Sequence, residues 1–143
     1  MYILVSACLL GMPCRYDGTG KREAGLEKLR EQGHTLIPVC PEVLGGLPIP
    51  RPPAERQPDG RVITQKGQDV TNQYRAGAQR ALELAQVHGC TLAVLKERSP
   101  SCGRGQIYDG TFSHTLISGS GVTAQLLEEH GIPVYGESQI KNL

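Results

Sequence analysis

The sequence predicts a single α/β domain spanning residues 1–143, with a mostly parallel, Rossmann-like sheet of about four strands flanked by helices. Three observations support this prediction. Short apolar segments alternate with helical patterns, long Gly- and Pro-rich loops follow the predicted strands, and no change in composition marks a linker. Such alternation implies right-handed crossovers and a parallel sheet covered on both faces. The chain is long enough to bury one core.

The first part of the chain is predicted to form two strands around one helix. Residues 2–7 are a short apolar run with β-branched side chains, which is typical of a buried strand. A helix is expected over residues 21–32, because apolar residues recur there at helical spacing and Gly33 supplies a stop. Residues 35–40 predict the second strand, and Pro38 favours a place near the sheet edge.

The middle of the chain combines a long irregular segment with the longest predicted helix. Residues 41–60 contain six prolines and are expected to be loop. Residues 61–64 suit a short strand or one arm of a hairpin. A helix capped by Asp69 or Thr71 is expected to run to about His88. Its apolar stripe at helical spacing comprises Tyr74, Ala78, Ala81, Leu82 and Ala85.

The last part of the chain repeats the alternation. Residues 91–96 predict a third buried strand, and residues 99–121 are expected to be a glycine-rich loop. A last helix is predicted over residues 122–130, where Gly131 ends it, and residues 132–135 predict the fourth strand. The loops after the strands then lie together at the carboxyl edge of the sheet.

Composition narrows the class of function. The 15 Lys and Arg residues nearly balance 14 Asp and Glu residues, which disfavours a protein dedicated to binding nucleic acid, and we expect no DNA partner. No apolar run is long enough to span a bilayer, and the first residues lack the basic start of a secretory signal. We therefore expect a cytoplasmic protein without membrane association. Five cysteines in a reducing compartment favour metal binding or catalysis over disulfides.

Three of the cysteines are predicted to meet at the carboxyl edge of the sheet. Cys8 and Cys40 end two predicted strands, and Cys102 lies in the loop beyond the third. Ligands bind in the crevice at that edge of an open parallel sheet. Cys90 lies at the opposite end of its strand and is expected to be a core residue. Cys14 follows Cys8 on the first loop and can either reach the site or pack beneath it.

The spacing leaves the nature of this site open. Soft thiolate ligands select zinc, copper(I) or iron–sulfur clusters. The three cysteines do not form the close pairs of structural zinc sites, and the histidines show no ligand spacing. A three-cysteine cluster would leave one iron open to a substrate. Buried thiols that merely happen to lie at loop ends are the alternative.

The loops contain a series of motifs in a fixed order along the chain. They are Ser6–Gly11, Cys14–Gly18, Pro38–Glu42, Gly45–Pro48, Pro50–Arg51, Gly67–Thr71, Leu95–Lys96, Ser99–Gly103 and Ile107–Phe112. With these motifs the sequence resembles the thiouracil desulfidase family over nearly its whole length. The resemblance implies a [4Fe-4S] cluster on Cys8, Cys40 and Cys102, and catalytic roles for Glu42 and Ser101, with Ser99 as a rival for the serine.

The resemblance also implies an activity. The expected enzyme is a non-redox desulfidase that removes sulfur from a thiolated pyrimidine of the 2- or 4-thiouracil type, giving uracil and hydrosulfide. The thiocarbonyl sulfur would bind the open iron, a soft Lewis acid, while Glu42 and Ser101 activate water at the ring carbon.

Several alternatives remain from the sequence. A zinc or thiol redox protein would use the same cysteines, and a non-enzymatic iron–sulfur carrier or sensor would offer its open iron to a partner. The substrate can be a free base, a nucleoside or a modified RNA, and the sequence assigns no oligomeric state. Arg15, Arg51 and Arg98 can pair with substrate carbonyls or with loop carboxylates, whereas Asp17 and Asp109 suit turns.

Overall fold

The fold is built on a parallel four-stranded sheet, as the computed structural model shows for all residues 1–143. Its strands are β1 (Tyr2–Ser6), β2 (Thr35–Val39), β5 (Cys90–Leu95) and β8 (Val134–Gly136), and their order across the sheet is β2-β1-β5-β8. The chain therefore reverses its direction of winding between β1 and β5, which are adjacent, and opens a crevice at their carboxyl ends. The α/β fold class is confirmed.

Helices cover both faces of this sheet. The long helix α3 (Thr71–His88) and the shorter α4 (Val122–Glu129) pack their apolar side chains on one face, against Leu4 and Leu95. On the other face, α1 (Ala24–Glu31) and the carboxyl-terminal 3-10 turn (Glu137–Asn142) pack against alternate strand residues. Successive residues of a strand point to opposite faces, so the central strands β1 and β5 are buried on both sides over most of their length. No helix combines the length and the apolar character that crossing a membrane requires.

The prediction that residues 41–60 are only loop is wrong. A short helix, α2 (Pro41–Leu44), begins directly after β2, and β3 (Ala54–Arg56) pairs antiparallel with β4 (Val62–Thr64). Proline suits the first turn of a helix, where its missing N–H has no partner to lose, so Pro41 starts α2 instead of preventing it. The short strand predicted at residues 61–64 is confirmed as β4.

The prediction that residues 99–121 are only a glycine-rich loop is also wrong. β6 (Gln106–Tyr108) and β7 (Leu116–Ser118) form an antiparallel hairpin. Three-residue strands are too short to show an alternating pattern, whereas the glycines around them are typical of a loop. The Asp109 side chain accepts hydrogen bonds from the backbone N–H and the hydroxyl of Thr111, as expected of a turn residue.

The start of α3 differs slightly from the prediction. Val70 is the residue that precedes the helix, and neither Asp69 nor Thr71 occupies that position. Asp69 Oδ1 nevertheless accepts a hydrogen bond of 2.9 Å from the Thr71 N–H, which is an otherwise unpaired donor of the first turn. The hydrogen bonds from Thr71, chiefly the one from its hydroxyl, lower the pKa of the Asp69 carboxyl.

Two glycines let α2 lie directly on α3. A Cβ atom at Gly77 would be 1.9 Å from the carbonyl oxygen of Pro41, and one at Gly45 would be 1.9 Å from that of Gln73. The backbones of the two helices therefore touch without intervening side chains. This contact fixes the position of α2, and with it the residues that follow β2 at the carboxyl edge of the sheet.

Candidate metal centre

A cavity of about 560 Å³ lies at the carboxyl edge of the sheet, where the sequence placed the site. Four thiols line it, and none of them forms a disulfide: Cys8, Cys14, Cys40 and Cys102. Cys90 is absent from the cavity and packs in the core on the α3 side of the sheet. The predicted juxtaposition of three cysteines and the exclusion of Cys90 both match this geometry, and the structure adds Cys14.

Each candidate ligand is held by the element that follows its strand. Cys8 lies in a 3-10 turn (Ala7–Leu10) directly after β1, and Cys40 is the residue that precedes α2. The turn that carries Cys102 docks on the start of α4, where the Val122 N–H donates to the Pro100 carbonyl at 2.9 Å. The ends of β1 and β2 and this backbone hydrogen bond thus place the three cysteines around the same cavity.

Cys14 contacts two of the candidate ligands. Its thiol interacts with those of Cys8 and Cys40, and the Cys40 thiol also donates to the Cys14 carbonyl oxygen at 3.7 Å. The interaction with Cys40 lowers the pKa of Cys14, but the contact with Cys8 and burial outweigh it and raise this pKa to about 11. The fourth thiol therefore belongs to the wall of the cavity.

Two of the candidate ligands, Cys40 and Cys102, are neutral thiols when no metal is bound. The interaction with Cys14 and burial raise the pKa of Cys40 far above its ordinary value, and burial does the same for Cys102. Thiolates are the form that binds metals, so ligation must release these protons. The side chains of Ser6 and Ser101 oppose the shift at Cys102, because both contact its sulfur.

The donor set fits an iron–sulfur cluster better than a single ion. No three Cys, His, Asp or Glu side chains are arranged to hold one metal ion. A cubane cluster carries its thiolate ligands on different iron atoms and therefore needs a wider cup than zinc does. Free thiols around a cavity of about 560 Å³ offer such a cup. Cys8, Cys40 and Cys102 could hold the cluster, with Cys14 beside them.

Glu42 reaches the same cavity from the first turn of α2. Its Oε2 accepts a hydrogen bond of 3.1 Å from Nη2 of Arg51, whose side chain is only 5 % exposed. Arg51 therefore pairs with a carboxylate of the protein, one of the two roles expected from the sequence, although Glu42 lies in α2 and not in a loop. The other oxygen, Oε1, accepts no hydrogen bond within the protein, so it is free to receive one from a molecule in the cavity.

The two candidate serines are placed differently. Ser101 is fully buried, and its hydroxyl shares a 2.8 Å hydrogen bond with that of Thr123. Ser99 lines the cavity, and its Oγ accepts hydrogen bonds from the backbone N–H groups of Ser101 and Cys102. Ser101 thus contacts the Cys102 sulfur from behind, whereas Ser99 faces the cavity.

Sequence reasoning missed one wall of the cavity, the tip of the β6–β7 hairpin. Tyr108, Phe112 and His114 line the cavity, and Phe112 and His114 have positive φ values of 57° and 59°. The buried carboxylate of Glu55 on β3 holds this tip, because its Oε1 accepts hydrogen bonds from the N–H groups of Gly110 and Phe112. A carboxylate at this spacing leaves no recognisable signal in the sequence.

Tyr74, which its helical spacing places on the apolar stripe of α3, also lines the cavity. Its ring does pack among Val62 and Val70, as a core residue would. The helical spacing of Tyr74 correctly indicates that the side chain points inward. Spacing cannot show that the inner end of this side chain reaches a cavity instead of closed packing.

Comparison with known proteins gives concordant results. A family model described as 2-thiouracil desulfurase matches residues 3–139. The uncharacterised protein YbbK of Bacillus subtilis (strain 168) is 41 % identical over 150 residues, covering 99 % of this chain and 99 % of that protein. The solved structure of the [4Fe-4S]-dependent thiouracil desulfidase TudS is similar with a TM-score of 0.92 and 49 % identity, covering 99 % of this chain and 94 % of that chain.

Proposed function

Because the chain belongs to the 2-thiouracil desulfurase family, we propose that it is a [4Fe-4S]-dependent desulfidase acting on a thiolated pyrimidine. The observation that carries this proposal is the cavity at the carboxyl edge of the sheet, where Cys8, Cys40 and Cys102 lie beside Glu42. These three cysteines would hold the cluster. The products would be uracil, or its derivative, and hydrosulfide, without net oxidation or reduction.

A cluster held by these cysteines would supply a soft Lewis acid for the thiocarbonyl sulfur. The chain supplies the other groups. Glu42 can accept a proton from water at its free Oε1, while Arg51 holds Oε2 in place. Ser101 contacts the sulfur of Cys102, so we propose that its hydroxyl donates a hydrogen bond to the sulfur that leaves the pyrimidine. Ser99, on the cavity wall, is the rival for that role.

The depth of the cavity supports a small substrate. It is lined by the segments that follow β1, β2 and β5 and by the β6–β7 hairpin, and a volume of about 560 Å³ lies in the usual range for small-molecule sites. We propose a free or sugar-linked thiolated pyrimidine as the substrate. Five free cysteines and a thiolate-held cluster suit the reducing environment of the cytoplasm, which we propose as the compartment.

Anaerobic reconstitution tests the proposal. The chain is loaded with iron and sulfide, its iron and acid-labile sulfide are measured, and sulfide release is followed with 2-thiouracil, 4-thiouracil and their nucleosides. We expect a coloured protein that releases sulfide from at least one of these bases. A protein that binds zinc but no iron would favour the thiol or zinc alternative. A stable cluster with no sulfide release from any base would favour a carrier or sensor.

A further inference from the structure

Tyr74 carries a buried hydroxyl without a partner in the protein. The residue is only 4 % exposed, yet its hydroxyl makes no hydrogen bond to any protein group. Nε of Arg56 is the only side-chain nitrogen or oxygen that is both inaccessible to solvent and unpaired. The Tyr74 hydroxyl is also unpaired, so it must be accessible, and because the residue is buried its hydroxyl must face a cavity. A buried phenol without a partner is unfavourable, so this group is expected to bond whatever fills that space.

The hydroxyl lies among the groups of the proposed reaction. Tyr74 lines the large cavity together with Glu42, Cys40 and Cys102. Burial is the largest cause that raises the pKa of its phenol, and the Glu42 carboxylate raises this pKa further against the opposing charge of Arg51. The phenol thus keeps its proton and acts as a neutral donor.

Tyr74 also separates two spaces. A smaller cavity of about 260 Å³ lies on the other side of Tyr74 and Arg51, both of which line the two cavities. The ring is fixed between β4 and the start of α3, where it packs on Val62 and Val70. Apolar packing of the ring therefore fixes the position of the hydroxyl. Its O–H makes no hydrogen bond in the protein and remains available to donate one to a ligand.

We propose that Tyr74 is a substrate-contacting residue whose O–H donates a hydrogen bond to the ring carbonyl oxygen of the thiolated pyrimidine. Both 2-thiouracil and 4-thiouracil keep one carbonyl beside the thiocarbonyl group, so one donor at a fixed place can orient the ring while sulfur faces the cysteines. Glu42 cannot serve this carbonyl, because a carboxylate only accepts hydrogen bonds. The inference rests on the proposed function and adds a residue that selects oxo-substituted rings.

Tyr74→Phe tests this role, since it removes one oxygen and keeps the packed ring. Sulfide release is compared for 2-thiouracil and for pyrimidine-2-thione, which lacks the ring carbonyl. The preference is the kcat/KM for 2-thiouracil divided by that for pyrimidine-2-thione. It should be about tenfold lower in the variant than in the wild-type enzyme, the size expected for one neutral hydrogen bond. Taking the ratio of the two preferences cancels the intrinsic difference in reactivity between the substrates. Tyr135→Phe, outside the cavity, is the matched control and should leave the preference unchanged.

Binding of the product uracil gives a readout that does not need turnover. Its affinity for the cluster-loaded protein, measured by equilibrium dialysis, should fall about tenfold in Tyr74→Phe, with iron content and melting temperature unchanged. An unaltered preference and unaltered uracil affinity would overturn the proposal. Loss of the cluster or of folding in the variant would do so as well, because it would show a structural role. A wild-type protein that binds uracil through Tyr74 but releases no sulfide would instead reject the proposed function.

Discussion

Nη2 of Arg51 lies 3.1 Å from Oε2 of Glu42 and also 3.1 Å from the carbonyl oxygen of Cys14. Nη1 of the same guanidinium donates to the Pro48 carbonyl at 3.3 Å. One side chain therefore joins the loop after β1 to the first turn of α2 and to the segment beyond it. Since the pair is almost inaccessible to solvent, Arg51 both neutralises Glu42 and fixes its direction.

Removing this guanidinium should damage both stability and activity. Arg51→Met leaves the Glu42 carboxylate buried without its partner, which costs about 3 kcal/mol of unfolding free energy. The carboxylate is also released from its position, so kcat should fall about a hundredfold. Arg51→Lys keeps the charge but loses the forked geometry and should give an intermediate kcat. Urea denaturation and sulfide-release kinetics measure the two effects.

An exposed pair provides the control for Arg51. Arg61 and Asp59 form an ion pair of 2.8 Å on the surface, with both side chains more than half exposed. Arg61→Met should change stability by less than about 1 kcal/mol and leave kcat unchanged, because exposed pairs contribute little. If Arg51→Met behaved like Arg61→Met, the positioning role of Arg51 would be wrong.

The cysteines should divide into ligands and a core residue. Cys8→Ala, Cys40→Ala and Cys102→Ala should each abolish the colour, the bound iron and sulfide release. Cys90→Ala should keep all three properties, because Cys90 lies in the core and away from the cavity. Its only expected effect is a loss of about 1 kcal/mol in stability. Iron analysis and absorption spectra check this prediction, and a colourless Cys90→Ala protein would contradict it.

The positions of these cysteines could be predicted from the sequence. They depend on the order of strands and helices along the chain, and local apolar patterns reveal that order. Cys8 and Cys40 directly follow strands with clear apolar patterns, and parallel pairing brings strand ends to one edge. The exclusion of Cys90 came from the same argument. The fold class followed from alternation alone. In each case the pattern extended over five or more residues, which is long enough to show a period.

Three-residue strands and contacts between residues far apart in sequence could not be predicted in the same way. The strands of the β6–β7 hairpin have three residues each, and the pairing of Glu55 with the Phe112 N–H joins residues far apart in sequence. Such contacts depend on tertiary packing, which local propensity does not record. The difference between Ser99 and Ser101 is of this kind, because it depends on where Thr123 lies.

The two serines can be separated by substitution. If Ser101 takes part in the reaction, Ser101→Ala should lower kcat about a hundredfold with the cluster retained. Thr123→Val removes the partner of Ser101 but leaves its hydroxyl, so kcat should change little while stability falls by about 1 kcal/mol. Ser99→Ala is the comparison on the cavity wall. A large loss of kcat in Ser99→Ala alone would transfer the role to Ser99.

The thiols predict a pH dependence for the cluster-free protein. The folded-state pKa of Cys14 is about 11, above its ordinary value of 9.0, so folding favours the neutral thiol. Its contribution to stability is fully present below the unfolded-state pKa and is lost as pH rises through the folded-state pKa. The free energy of unfolding should therefore decline between pH 9 and pH 11. Urea denaturation under reducing conditions should show a shallower decline for Cys14→Ala, and equal slopes for both proteins would contradict this assignment.

Gly77 offers a final test of how the fold positions the site. Replacing glycine by alanine inside a helix ordinarily adds up to about 1 kcal/mol of stability. At Gly77 the added Cβ would meet the Pro41 carbonyl oxygen at 1.9 Å, so α2 must move away from α3. Gly77→Ala should instead destabilise the protein by about 2 kcal/mol, as overpacking does. Because α2 carries Glu42 and directly follows Cys40, cluster content and kcat should fall together. Gln79→Ala, on the exposed face of the same helix, should leave both unchanged, so a stable, fully loaded Gly77→Ala protein would show that α2 needs no backbone contact to hold the site.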